Sequence, residues 1–122
     1  MAKTTAKHFE IFKTECLKWI YTFGLTDWEF HFKHADLENN NMAQCERNSN
    51  SHIAKLSLCK TWPTDTMINL TEENVRKAAF EEVCHVFLYR LSSNAYARFI
   101  MEHEINEAEH SIIRTLHRIL MR

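Results

Sequence analysis

Apolar and polar positions along this 122-residue chain change period several times, and each change marks an expected element. Phe9, Phe12, Cys16, Trp19, Ile20 and Phe23 recur at helical spacing, and Gly24 follows where a helix C-cap glycine belongs. Trp28, Phe30 and Phe32 then alternate with Glu29, His31 and Lys33, which predicts a strand with an aromatic inner face. Asn39-Asn40-Asn41 breaks it. Residues 42–47 and 53–59 predict an extended pair joined by the polar turn Asn48-Ser49-Asn50-Ser51. In the second of these, Ala54, Leu56 and Leu58 share one face, with Lys55 and Ser57 on the other. A turn centred near residues 49 and 50 sets Cys45 opposite about Ala54, so a cross-strand Cys45–Cys59 disulfide is not expected.

Thr61-Trp62-Pro63-Thr64-Asp65 reads as a loop, and residues 67–70 as a short extended piece. Thr71-Glu72-Glu73 then supplies a capping hydroxyl and an acidic first turn, the start of a helix. That helix is expected to reach about Leu91 and end at Ser92-Ser93-Asn94, and a final helix to run from near His103 to the C-terminus. The fold class is α+β: an N-terminal helix, a small three- or four-stranded sheet, then two packed C-terminal helices. With no repeat and no linker, residues 1–122 read as a single domain.

Composition narrows the picture. One glycine and one proline signal few tight turns, in keeping with the helices. Fifteen basic against sixteen acidic residues leave a charge of −1, so no nucleic-acid groove is indicated. The four cysteines, Cys16, Cys45, Cys59 and Cys84, lack the short spacing of a zinc knuckle or a redox pair. No apolar run approaches the roughly 18 residues that span a bilayer, and the N-terminus lacks the apolar core of a secretory signal. The expectation is a cytoplasmic protein with reduced thiols and no membrane partner.

Chemistry is concentrated in two helices. Nine of the twelve residues in the window 78–89 are apolar, as in a buried helix. The exceptions, Glu81, Glu82 and His85, project within a sector of roughly 100°. Buried carboxylates need partners or shifted pKa values, so something must compensate them. On the final helix Ile105, Ile112, Ile113, Leu116, Ile119 and Leu120 form the apolar stripe, and Glu109 falls inside it. Glu107 projects to the opposite side with Arg114. The stripe therefore sets Glu109 against the core, where it would meet the Glu81/Glu82/His85 sector. His103, His110 and His117, seven residues apart, read as a solvated face rather than a metal site. Cys84 points to the apolar side and reads as a core thiol rather than a nucleophile. Trp19, Trp28 and Trp62 read as core aromatics, and Tyr89, one turn beyond His85, is a secondary candidate for the polar pocket.

The string Glu81-Glu82-Val83-Cys84-His85 is one residue away from His-Glu-x-x-His. In that motif two histidines one turn apart bind zinc, and the glutamate acts as general base on zinc-bound water. The sequence here resembles the small phage-associated metallopeptidase-like proteins of minimal zincin-like fold. The likeness covers most of the chain from Trp28 onward. It runs through Ala43-Gln44-Cys45, Ile53-Ala54-Lys55-Leu56 and the Trp62-Pro63 loop, and is strongest over residues 79–89 and 105–116. It implies Glu82 as general base, His85 as one metal ligand and Glu109 as the third. The departure is Glu81, which stands where the first histidine ligand belongs.

A glutamate can ligate a metal, but a centre of Glu81, His85 and Glu109 is near neutral, whereas two histidines and one carboxylate leave about +1. Bound water is then less acidified, and preference moves from zinc toward harder divalent ions. Without a metal, a protonated His85 could neutralise one carboxylate, and an upward pKa shift or an arginine could handle the others. The expectation is a metallopeptidase-like phage protein, in the cytoplasm of a bacterial host, with an altered metal site and weakened or lost peptide hydrolysis. Zinc, another divalent metal, or none would occupy it. The alternative is a non-catalytic module that binds or inhibits a host protein. The partner, protein or peptide, is not specified by the sequence.

Overall fold

The computed structural model describes residues 2–38, 41–48, 51–63, 68–89 and 102–121, with the side chains of Glu104, Ile105, Ala108, Thr115 and Ile119 left out. The described elements are β1 (Ala2–Lys3), α1 (Ala6–Thr22), β2 (Glu29–Ala35), β3 (Ala43–Asn48), β4 (Ile53–Cys59), β5 (Thr61–Trp62), α2 (Glu72–Phe87) and α3 (Glu102–Leu120). The fold is α+β, as the periodicities predict.

Local chemistry explains the helix ends. Thr5 caps α1 by accepting from the His8 amide, while the Thr5 amide donates to His8 Nδ1 at 3.0 Å, a reciprocal box. At the other end Gly24 adopts φ 66°, and the Leu25 amide reaches back to the Ile20 carbonyl at 3.0 Å. Thr71 caps α2 by accepting from the Asn74 amide at 3.1 Å, with Glu72 and Glu73 in the first turn.

β2, β4 and β3 form one sheet in that order, β2 parallel and β3 antiparallel to β4. Ala54, Leu56 and Leu58 of β4 are fully buried, and Phe30 and Phe32 pack against the same core. β3 pairs Ala43 with Leu58, Cys45 with Leu56 and Arg47 with Ala54. Cys45 therefore lies opposite Leu56 rather than Ala54, because the loop includes His52, in the left-handed region at φ 54°, and centres one residue later. Directly opposed residues share a face. Ala43, Cys45 and Arg47 thus all point inward, toward α2.

Other expectations fail where elements are short. Thr61-Trp62 is not loop: it forms β5, antiparallel to the unforeseen β1. Ile68, Asn69 and Leu70 form no strand, and α2 ends at Phe87 with Leu88 as its cap. Ser49-Asn50, Asn39-Asn40, Thr64-Asp65, Met67, Leu91 and Ser92-Ser93-Asn94 lie outside the described residues, as do the side chains of Ile105 and Ile119. Of the remaining α3 stripe Ile113 is buried, whereas Ile112 and Leu120 are exposed. All four cysteines are free, and among the described residues no helix is long and apolar enough to cross a membrane.

Thr4 joins the two sheets. Its buried hydroxyl donates to the Cys59 carbonyl at 2.7 Å and lies 2.7 Å from the His34 imidazole. The Lys60 carbonyl, at 3.2 Å, is a third partner. Thr4→Val keeps the shape and removes all three contacts, so thermal denaturation should record a loss of about 1–2 kcal/mol. An unchanged midpoint would mean that the hydroxyl contributes nothing to this junction.

Candidate functional site

Four predicted residues, Glu81, Glu82, His85 and Glu109, line one cavity of about 310 Å³ between β3, α2 and α3. Arg47, Cys45, Gln44 and His110 complete much of its wall. The helical stripe correctly sets Glu109 inward, at 4% exposure, and Glu107 and Arg114 outward.

His85 Nδ1 and Glu109 Oε1 are joined directly by a hydrogen bond. Arg47 reaches the same pair from β3: its Nη1 lies 3.9 Å from Glu109 Oε1 and donates to the His85 carbonyl at 2.6 Å. The guanidinium also stands over the Tyr89 ring, 5.5 Å from its centroid. Tyr89 in turn packs edge-on against Trp28, at 5.5 Å, and so backs Arg47 rather than lining the cavity. Burial alone would lower the His85 pKa. The hydrogen bond to Glu109 and the charges of Glu82 and Glu109 outweigh it, and the net shift is upward.

Glu82 is half-buried, and among the described residues no hydrogen bond or ion pair reaches its carboxylate. Burial pushes its pKa up to about 7, against the opposing pull of His85. Glu81, at the edge of the same cavity, has a second partner. Half exposed, it pairs with His117 at 3.8 Å, and the His117 ring packs on Phe80 at 4.7 Å between centroids. Burial raises the Cys84 pKa to about 12 and raises that of Cys45 as well, which disfavours a thiolate nucleophile at either position.

The structure thus unites His85, Glu109 and Glu82 and directs Glu81 toward His117. Three neighbours were missed. Arg47 carried a readable signal, a charge at an inward position of β3. His110, expected on a solvated face, is exposed at the cavity rim, its ring edge-on to His85 at 5.4 Å, with Nδ1 donating to the Asn106 carbonyl at 2.8 Å. His117, expected on the same face, is largely covered by α2. Only His103 is both exposed and remote from these contacts.

Among the described residues no group of three His, Cys, Asp or Glu side chains converges in a way that could hold a divalent metal. His85 Nδ1 is engaged with Glu109, Glu81 is engaged with His117, and the positive charge beside Glu109 comes from Arg47. This arrangement does not fit a metal held by Glu81, His85 and Glu109.

No family model and no curated protein matches the chain. Among solved structures it is similar to the metallopeptidase zymogen of Methanocaldococcus jannaschii, jannalysin. The two share 15% identity over 95% of this chain and 97% of that one, with a TM-score of 0.45. A likeness at that level carries no argument about chemistry or ancestry.

Proposed function

We propose that this chain is a metallopeptidase-like phage protein whose pocket has exchanged metal ligation for an internal Arg–Glu–His ion network. It acts as a non-catalytic module that binds a protein or peptide of the bacterial host. The observation that carries the reading is the direct His85–Glu109 hydrogen bond with Arg47 beside it. In a zinc hydrolase the metal lowers the pKa of bound water toward 7 and polarises the scissile carbonyl. Here the two side chains that would retain the metal satisfy each other. Glu82, with a pKa of about 7, keeps the protonation behaviour of a general base, but without an activated water it has nothing to deprotonate.

A second reading is a metal centre of Glu81, His85 and Glu109, zinc or a harder divalent ion, with Glu82 activating water. It is favoured by the four residues sharing one cavity. Metal analysis separates the two. Protein grown with added zinc and manganese and purified without chelator should carry well below one equivalent of either, and should not hydrolyse peptide. A full equivalent would overturn the first reading in favour of the second.

A further inference from the structure

We infer that Arg47 is the charge that closes this pocket to divalent metal, so that Glu81→His alone does not open it. The inference rests on the metal-free reading above and adds a cause that the five-residue motif does not contain. Register fixes Arg47 on the inner face of β3, opposite Ala54, which is fully buried. Its guanidinium is held from three sides: the His85 carbonyl at 2.6 Å, Glu109 Oε1 at 3.9 Å and the Tyr89 ring at 5.5 Å. Arginine cannot shed its proton in a protein, so the charge is permanent. A divalent ion on the buried Glu109 carboxylate would lie within a few ångströms of that charge and be repelled by it. Metal and guanidinium therefore compete for one carboxylate, and the guanidinium is covalently present at every moment. His85 is caught in the same network, since its backbone carbonyl accepts from Arg47 while its ring engages Glu109. Glu81 lies outside it, paired with His117 on the far side of the sector. Position 81 can therefore change without loosening the Arg47–Glu109 contact.

The test is zinc binding by titration calorimetry, with zinc stoichiometry and thermal shift in added zinc as independent readouts. Wild type, Glu81→His, Glu81→His/Arg47→Gln and Glu81→His/Arg47→Lys are compared. Glutamine retains a donor for the His85 carbonyl without charge; should that variant not fold by circular dichroism, Arg47→Met retains the stem against Tyr89. The double variant with a neutral residue should bind one equivalent roughly a hundredfold more tightly than Glu81→His. The lysine variant should resemble Glu81→His, which a purely steric role for Arg47 would not produce. Equal binding by Glu81→His and the neutral double variant overturns the inference and leaves the proposed function standing. So does a folded neutral double variant, whether made with glutamine or methionine, that binds no zinc. Metal in the wild type overturns both.

Discussion

Replacing Phe80 by alanine is expected to cost about 4 kcal/mol, the largest single effect of any substitution considered for this chain. Phe80 is fully buried, with its ring edge-on to Trp19 at 4.7 Å, tilted against Phe23 at 6.2 Å, and 4.7 Å from His117. These three neighbours belong to or adjoin α1 and α3, so the ring joins both helices to α2. Truncation removes the transfer free energy of a phenyl group and leaves a void that aromatic neighbours cannot easily close. Phe87, also on α2, is the contrast. It stacks on Phe23 at 4.7 Å but is 45% exposed, so Phe87→Ala should cost about 1 kcal/mol. Urea unfolding would measure both as midpoint shifts at unchanged slope. A Phe80→Ala cost no larger than that of Phe87→Ala would contradict the packing described. The effect matters to the site because Phe80 precedes Glu81, and His117, the partner of Glu81, rests on its ring.

Long elements with one buried face were readable because periodicity survives over several turns or several alternations. α1 with Gly24, the inward face of β4 and the Thr71 cap follow directly from residue spacing. β1 and β5 were not readable, since two residues contain no period; long-range pairing alone makes them strands. The site divides in the same way. Glu109 inside an apolar stripe was legible, and so was a polar sector on α2. The divergence of Glu81 from Glu82 was not, because those residues lie at opposite edges of a sector about 100° wide, with His85 between. A neighbour on one side captures one edge without the other. The histidines at positions 103, 110 and 117 illustrate a further limit. Residues seven apart drift about 20° per heptad on a straight helix, so one row need not keep one environment. His103 is solvated while His117 is covered. Arg47 was readable in principle: Ala43, Cys45 and Arg47 alternate with Gln44 and Glu46, and a charge in an inward series requires a partner.

Glu82→Gln is expected to stabilise the protein at pH 8 by up to about 3 kcal/mol and to leave it little changed near pH 4.5. In the folded chain burial holds the Glu82 pKa at about 7, above its ordinary 4.5. The folded state therefore retains a proton that the unfolded state releases, and wild-type stability must fall as pH rises through that window. His85 acts in the same direction. Its folded pKa is raised above 6.5, so its contribution is present below 6.5 and lost as pH rises through the folded value. The variant should lose the Glu82 part of the decline and keep only that portion of the His85 part which Glu109 supplies, since the Glu82 charge contributes to the His85 shift. Thermal denaturation from pH 4.5 to 8.5 would resolve the difference. Wild-type stability that rises over this range, with a variant weaker at pH 8, would show the carboxylate ionised and matched by a cation. The sign thus bears on function. A carboxylate that folding disfavours, in a cavity where an amide of the same shape would be cheaper, is better explained by what the cavity contacts than by what holds the fold together.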